Sequence, residues 1–330
     1  MQNNNILDNH YLITRTITSG LFSDVSSCLV TNIHNNNQYV AKVRINDPNN
    51  PNHYFQNEVQ MTVIASGLNN PYIIHLNGHG LGILNYQGVV TNNTNYMILE
   101  YCHRGDLWTY INLGGFLERH AKYIFKKILL GVQALHEAGY CHRDLKLDNI
   151  LLDHNFNPKI NNFSFSRQFR QNNQPILLND MVGTPVYSSP QILANQPYNG
   201  EKADIFSLGI ILFNLVSGKK PFYSADKYDR FYGLIVKGKN DRFWKEIVRM
   251  LGIIDFSNEF KDLFISMVAF NENGRPNIPQ ILHHHWFDEI NDLDNEELNQ
   301  LEIEVRNEFL LRTNQLMNNN NNNNGNGNNP

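Results

Sequence analysis

The chain has 330 residues, 41% of them hydrophobic, which suffices for a core in two domains or in one unit of two lobes. Its formal net charge of −4 at pH 7 gives no bulk attraction to nucleic acid or to an anionic membrane, so we expect neither partner. The N-terminus lacks the basic and apolar regions of a signal peptide, and three cysteines are typical of reduced thiols. We therefore expect a cytoplasmic protein.

Three strands are predicted near the N-terminus, because β-branched and aromatic residues concentrate in the runs 11–18, 25–30 and 39–45. The turn between the first two runs contains Gly20. Lys42 lies in the third run, and Glu58 follows in an amphipathic helix that is predicted to begin at Phe55. Each charge alone has an alternative interpretation as a solvated surface group.

Two more strands are predicted over 73–84 and 96–101, joined by a polar segment that we interpret as a permissive surface loop. A long amphipathic helix is predicted over 121–138. A second, mostly apolar helix is predicted to end near Val216, and it is too short to span a bilayer.

A polar loop over His142–Leu152 carries the residues with the clearest chemistry. Asp144 can accept a hydroxyl proton, Lys146 can neutralise a phosphoryl oxygen, and Asn149 can offer an oxygen to Mg²⁺. A charged surface loop would be the alternative for an isolated Asp-x-Lys pair. Here the whole pattern H-R-D-L-x-x-x-N is intact.

This pattern closely resembles the catalytic loop of protein kinases, and the landmarks of that family follow in order from Tyr11 to Phe287. The resemblance implies an α+β, bilobal protein kinase fold. Its β-rich N-lobe with helix C would cover 11–101, and its mainly α-helical C-lobe 102–287. Residues 1–10 would be an N-terminal extension, 288–312 would form a C-terminal helix, and the Asn-rich tail over 313–330 is predicted to be disordered.

The resemblance also implies an ATP pocket between the lobes. Lys42, paired with Glu58, would hold the α- and β-phosphates. The positions assigned to nucleotide binding are Ile17, Thr18, Gly20, Val25, Val40, Lys42, Glu58, Glu100, Cys102 and Leu151. The turn keeps only Gly20 of the family's three glycines, because Thr18 and Ser23 replace the others. Their Cβ atoms limit how closely the backbone can approach phosphate.

The metal-binding carboxylate of the family is missing from this chain. Where kinases carry K-I-x-D-F-G, the sequence has Lys159–Ser164, so that Asn162 replaces the aspartate and Ser164 the glycine. No Asp or Glu lies between His154 and Asn179, so a shift of register cannot supply one. Asn149 and Asn162 would offer Mg²⁺ only neutral oxygens, so we expect weak or absent Mg²⁺ and weak ATP binding.

The stretch Gly183–Gln191 resembles the activation segment G-T-x-x-Y-x-A-P-E of the family, with Gln191 in place of the glutamate and Arg275 as its candidate partner. Thr184, together with Lys146, indicates the serine/threonine branch. Asp180 lies where many kinases carry an activating phosphothreonine. It can pair permanently with Arg143, although a solvated loop aspartate is an equal alternative.

Two classes of function remain open from the sequence. One is a pseudokinase that binds or scaffolds an unknown protein partner, because the metal carboxylate and two glycines are missing. The other is a serine/threonine kinase of low or unconventional activity, because Lys42, Glu58, Asp144, Lys146 and Asn149 are all kept.

Overall fold

A computed structural model of the protein describes residues 5–18, 25–46, 53–172, 174–252 and 255–325, with side chains as far as 319. The chain divides into two compact units. The first comprises Met1–His103 with Asn161–Ser166, and the second comprises Arg104–Ile160 with Arg167–Pro330. The first unit thus ends two residues later than the predicted N-lobe and also includes a segment that the sequence analysis assigned to the C-lobe.

The first unit is a closed antiparallel barrel with strand order β1-β2-β3-β4-β6-β5 and one helix. Its elements are β1 (Ile6–Leu7), β2 (Tyr11–Thr16), β3 (Ser26–Asn32), β4 (Gln38–Ile45), α1 (His53–Gly67), β5 (Leu76–Tyr86) and β6 (Val89–Glu100). Strand β1 corrects the predicted N-terminal extension, because Ile6 pairs with both Leu12 and Asn85 and Leu7 is fully buried in the core. Two residues are too few to give a periodic signal, so the sequence did not reveal this strand.

Strands β5 and β6 form one long hairpin where the sequence analysis predicted a polar loop. Tyr86 pairs with Val89 across a two-residue turn in which Gln87 and Gly88 have φ values of 52° and 80°. Positive φ at both central positions gives the turn whose twist matches that of paired strands. The polar segment was mistaken for a loop because its Asn and Thr residues lack the apolar alternation of a strand.

The second unit is mainly helical. Its helices are α2 (Leu107–Ile111), α3 (Glu118–Glu137), α4 (Pro190–Leu193), α5 (Gly200–Ser217), α6 (Tyr232–Val236), α7 (Asn240–Leu251), α8 (Asn258–Met267), α9 (Ile278–Leu282), α10 (Asp288–Asn291) and α11 (Asn295–Gly325). Its short strands are β7 (Tyr140–Cys141), β8 (Ile150–Leu152), β9 (Pro158–Ile160), β10 (Arg167–Gln168), β11 (Arg170–Gln171), β12 (Gln174–Pro175), β13 (Leu177–Leu178) and β14 (Tyr198–Asn199). Single 3₁₀ turns occur at Leu147–Asn149, Pro185–Tyr187, Glu272–Gly274 and His285–Phe287.

Helix α5 is the centre of the second unit. Asn199 caps its N-terminus by accepting hydrogen bonds from the backbone N–H groups of Glu201 and Lys202, and Gly218 ends it in the left-handed conformation. Every residue from Ala203 to Leu215 is buried. A helix that is apolar on all sides is stable only inside a core. None of the helices within the described residues is long and apolar enough to cross a membrane.

Helix α11 packs on the second unit through one face. Leu301, Val305 and Phe309 are buried, and the Phe309 ring stacks on Phe156 with the ring centroids 4.9 Å apart. The guanidinium of Arg312 donates hydrogen bonds to the carbonyl oxygen of Tyr110, in the last turn of α2, and to those of Gly114 and Gly115, just after that helix. Arg312 thereby joins α11 to the end of α2 and to the turn that follows it.

The same helix corrects the predicted boundaries at the C-terminus. The predicted helix ended at Arg312 and disorder was predicted from residue 313, but α11 continues to Gly325. Composition predicted disorder here because a mostly polar, Asn-rich tail cannot bury a core of its own. Once the packed turns up to Arg312 have nucleated a helix, however, each added residue contributes a hydrogen bond without the cost of nucleation.

Truncation of Phe309 should destabilise the second unit. The ring is fully buried, so Phe309→Ala is expected to lower the free energy of unfolding by about 3–5 kcal/mol. Leu311→Ala is the matched control, because Leu311 is 64% exposed on the same helix and should change stability by less than about 0.5 kcal/mol. Urea unfolding followed by tryptophan fluorescence reports this unit alone, because Trp108, Trp244 and Trp286 all lie in it. Equal effects of the two variants would contradict the docking of α11.

Candidate functional site

The carboxylate of Asp144 is held by three side chains of the second unit. Its Oδ1 accepts a hydrogen bond of 2.7 Å from the hydroxyl of Thr184, and its Oδ2 accepts one of 2.9 Å from Nδ2 of Asn149. The ammonium of Lys146 lies 3.5 Å from Oδ2 and donates to the Thr184 hydroxyl at 2.8 Å. The predicted catalytic residues Asp144, Lys146 and Asn149 therefore form one cluster, with Thr184 as a fourth member.

A buried carboxylate at the start of α5 shapes the loop that carries this cluster. Asp204 is fully buried and accepts hydrogen bonds from the backbone N–H groups of His142 at 2.7 Å and Arg143 at 2.8 Å. Its Oδ2 also lies 2.9 Å from Nε2 of His136 on α3. These contacts hold Arg143 at a φ of +66°, which non-glycine residues rarely adopt.

Neither Asp204 nor Thr184 was among the sequence-predicted site residues. Thr184 lies in the stretch that resembles the activation segment, and Asp204 lies in the mostly apolar helix predicted to end near Val216, which carried a signal of its own. A carboxylate within a run that is otherwise apolar must find buried donors, because an unpaired buried charge is strongly destabilising. That signal marks Asp204 as a partner of backbone amides rather than as a surface charge.

The predicted pair between Arg143 and Asp180 is present. Nη1 of Arg143 lies 3.1 Å from Oδ2 of Asp180 and donates a second hydrogen bond of 3.0 Å to the Tyr198 hydroxyl. That hydroxyl donates in turn to the backbone carbonyl of Asp180 at 3.1 Å. Arg143 is buried, whereas the Asp180 side chain is 45% exposed. The triangle of Arg143, Tyr198 and Asp180 fixes one point of the activation segment.

Gln191 also contacts its predicted partner. Nη2 of Arg275 donates to Oε1 of Gln191 at 2.8 Å, and the Gln191 amide nitrogen donates to the Phe270 carbonyl at 2.7 Å. Arg275 further donates to the carbonyl oxygens of Ala269 and Lys202. Burial lowers the pKa of this guanidinium to about 10. The neutral amide therefore replaces the family's ionic contact with a hydrogen bond.

In the first unit, the ammonium of Lys42 on β4 forms an ion pair with the carboxylate of Glu58 on α1. Glu58 is only 4% exposed, so this pair is shielded from water and lies inside the unit. Val40 lies on the same strand and pairs with Leu29 of β3 on one side and with Leu99 of β6 on the other. The sequence prediction of a Lys42–Glu58 pair is therefore matched by the geometry.

The Thr18 side chain joins the start of the predicted glycine turn to strand β3 by a hydrogen bond. The Thr18 hydroxyl accepts a hydrogen bond of 2.9 Å from the backbone N–H of Ser27, and Ile17 donates its own N–H to the Ser27 carbonyl at 2.8 Å. Val25 is half-buried. Gly20 and Ser23 lie outside the described residues. Thr18 thus serves as a partner of β3.

The remaining nucleotide positions divide between the units. Glu100 ends β6, its backbone N–H donates to the His75 carbonyl at 3.0 Å, and its Oε1 accepts from the His75 N–H at 2.7 Å. The Glu100 side chain lines a wide polar cavity of about 830 Å³ with Tyr39 and His103. Cys102 is buried in the first unit, whereas Leu151 lies on β8 of the second.

Asn162 belongs to the first unit, and its side-chain oxygen is already engaged. The Ser164 hydroxyl donates to Oδ1 of Asn162 at 2.7 Å. Asn162 has a φ of +68°, a conformation that asparagine tolerates better than most residues. Nδ2 of Asn57 on α1 donates to the carbonyl oxygens of Ser164 and Ser166, which holds the segment in place. The two predicted metal residues, Asn149 and Asn162, thus lie in different units.

Comparison with known proteins identifies the relatives of this chain. The family model described as "Protein kinase domain" matches residues 11–287. CBL-interacting serine/threonine-protein kinase 13 of Arabidopsis thaliana is 31% identical over 284 residues, which are 86% of this chain and 52% of that protein. The probable serine/threonine-protein kinase MARK-B of Dictyostelium discoideum is 32% identical over 286 residues, 86% of this chain and 37% of that protein. The chain therefore spans about half, or less, of these relatives.

Loss of the Asp180 carboxylate should loosen the activation segment. The ion pair joins a buried Arg143 to a half-exposed Asp180, and its loss at a partly exposed site is expected to cost about 1 kcal/mol, so Asp180→Ala should raise the rate of trypsin cleavage at Arg167 and Arg170 about two- to fivefold. Asn179→Ala is the matched control at an exposed neighbour. At about 1 M salt, screening should bring the unmodified protein close to the variant. Cleavage that is unchanged in Asp180→Ala would show that the pair does not order this segment.

Proposed function

Because this chain belongs to the protein kinase domain family, we propose that it is a serine/threonine protein kinase-like protein with absent or severely impaired phosphotransfer that acts by binding a protein partner. The proposal rests on the chemistry of the Asn162 side chain, which stands where the family has a metal-binding aspartate. The asparagine side chain has no charge, and its oxygen accepts a hydrogen bond from Ser164. We further propose that nucleic acid and membranes are not its partners, on the basis of the net charge of −4, and that its location is cytoplasmic, on the basis of the free cysteines Cys28, Cys102 and Cys141.

The expected energetic effect of the Asn162 substitution supports impaired phosphotransfer. A metal ion that stabilises transferring charge contributes several kcal/mol to catalysis by kinases. Loss of about 3–4 kcal/mol of that contribution corresponds to a rate lowered by about 10²–10³. The depleted glycine turn acts in the same direction, because the Thr18 hydroxyl bonds to β3.

The donors in this chain fit Mg²⁺ poorly. The side-chain oxygens of Asn162 in the first unit and Asn149 in the second are both neutral, and that of Asn162 already accepts a hydrogen bond from Ser164. Mg²⁺ gives up its water reluctantly and is usually bound through carboxylates. Within the described ranges, no group of three or more His, Cys, Asp or Glu side chains could hold a metal. We therefore derive no catalytic step through Mg²⁺.

A second candidate is a serine/threonine kinase of low activity, and the Asp144 cluster favours it. Asp144 is aligned by Asn149 and can accept a proton from an acceptor hydroxyl that displaces Thr184 from its Oδ1. Lys146 already contacts the Thr184 hydroxyl and would contact an acceptor in the same position. Transfer of a phosphoryl group to a protein serine or threonine would still proceed without the stabilisation that a firmly bound metal ion provides.

Nucleotide binding should be weak and only slightly dependent on metal. Lys42 and Glu58 remain paired, so ATP at about 1 mM is expected to stabilise the protein slightly, and Lys42→Ala should remove that stabilisation. Thermal shift with ATP, with and without Mg²⁺, measures the effect. A stabilisation of about 4 kcal/mol that requires Mg²⁺ would imply a micromolar Kd and contradict the proposal.

Restoration of the carboxylate should restore phosphotransfer. The double variant Asn162→Asp, Ser164→Gly supplies a carboxylate that can bind the metal ion. It also removes the hydroxyl that donates to the side-chain oxygen at position 162. We expect at least about a tenfold gain in phosphotransfer, equivalent to roughly 1.4 kcal/mol of barrier. Asn161→Asp is the matched control, because it adds the same charge one residue away.

Two outcomes would contradict this account. If the double variant is as inactive as Asp144→Ala, the missing metal charge does not explain the impairment. If the unmodified protein already matches the double variant, it is an active kinase, and the impairment that we propose does not exist.

A further inference from the structure

A cavity of about 510 Å³ opens in the second unit at the C-terminal end of α5, and none of the residues in the Asp144 cluster lines it. Its volume lies within the range of about 300–1,000 Å³ that is typical of sites for small molecules. Asn214 and Phe222 also border the cavity, but both are buried and offer a ligand almost no surface. A ligand would therefore contact the more accessible side chains around them.

Apolar side chains form the accessible walls of the cavity. Trp108 on α2 and Leu251 at the end of α7 are half-buried, whereas Met250 is 52% and Tyr223 87% exposed. Apolar surface in contact with water is unfavourable, so a ligand with an apolar body gains free energy by covering these side chains. Because Trp108 and Tyr223 are aromatic, a flat ring fits the walls best.

Two ammonium groups stand at the rim of the cavity. Lys219 and Lys220 are exposed, and none of the described residues that line the cavity is acidic. Asp229, in the loop that follows, accepts hydrogen bonds from four backbone N–H groups between Tyr223 and Tyr232 and is thus already engaged. The rim therefore attracts an anion and repels a cation.

The distance between the charge and the ring restricts the shape of the ligand. Nζ of Lys220 lies 5.6 Å from the centroid of the Trp108 ring. A carboxylate oxygen lies about 2.8 Å from an ammonium that it binds, and aromatic rings pack with their centroids about 4.5–7 Å apart. A carboxylate attached directly to a ring can make both contacts at once. A long spacer between the two groups would carry the ring past Trp108.

We propose that this cavity binds small aromatic carboxylates. The carboxylate contacts the ammonium groups of Lys219 and Lys220, and the ring packs on Trp108, Met250 and Leu251. This inference goes beyond the proposed function, because the site needs neither a nucleotide nor a protein partner.

Isothermal titration calorimetry with the full chain, in the absence of ATP, tests the proposal. The probe is naphthoate, and two analogues are its controls. Naphthylmethylammonium has the same rings with the opposite charge, and cyclohexanecarboxylate has the same charge without an aromatic ring. We expect naphthoate to bind at least about tenfold more tightly than the ammonium, because the two lysines attract one and repel the other. It should bind about fivefold more tightly than cyclohexanecarboxylate, the effect of ring packing.

Variants at the rim and the wall assign the binding to this cavity. Lys219→Ala, Lys220→Ala should weaken naphthoate about tenfold and remove the preference for negative charge, whereas the exposed pair Lys237→Ala, Lys239→Ala should leave its affinity within about twofold. Trp108→Ala should weaken naphthoate and the ammonium alike. Because Lys219 and Lys220 are exposed, their double variant keeps the test valid even if Trp108→Ala fails to fold.

Four results would overturn the proposal. They are no binding of naphthoate at about 1 mM, equal affinity for naphthoate and its ammonium analogue, an unchanged affinity in the double lysine variant, and competition with ATP, which would indicate the nucleotide site instead. The phosphotransfer result is independent of these outcomes. High activity of the unmodified protein would overturn the proposed impairment alone, and failure of naphthoate to bind would leave the Asn162 result intact.

Discussion

The hydrogen bonds to the Asp204 carboxylate are the constraint on which the site depends. A fully buried carboxylate is tolerated only when donors surround it, and here they come from the catalytic loop and from His136 on α3. One side chain thereby joins two helices and the loop between β7 and β8. The unusual backbone at Arg143, next to Asp144, follows from these bonds. The loop is therefore set by the interior of the second unit, independently of any nucleotide.

This independence means that Asp144 and Lys146 would keep their places even with the impaired phosphotransfer that we propose. Lys146 donates to Thr184, and Thr184 donates to Asp144, so the three residues link the catalytic loop to the activation segment. Each contributes to the structure whether or not a phosphoryl group is transferred. Asn162, by contrast, belongs to the first unit, where it accepts a hydrogen bond from Ser164. Retained catalytic residues are thus compatible with both the proposed function and its alternative.

Much of the fold and of the site could be predicted from the sequence, because the order of several motifs constrains a fold far more than one motif does. Pairs at family positions, such as Arg143 with Asp180, could be predicted although they are distant along the chain. The hairpin of β5 and β6 could not, because Gln87 is not a typical turn residue and the strands are polar. Hydrogen bonds such as that of Ser164 to Asn162 depend on local backbone geometry, which composition does not encode.

The contact between Arg143 and Asp180 gives the activation segment a fixed electrostatic state. A phosphate would bring a charge of about −1.5 to −2 and could be removed by a phosphatase, whereas a carboxylate brings one charge that persists for the lifetime of the chain. The conformation anchored at this point is thus established during folding and needs no modifying enzyme. Phosphorylation at this point of the segment therefore has no charge left to supply.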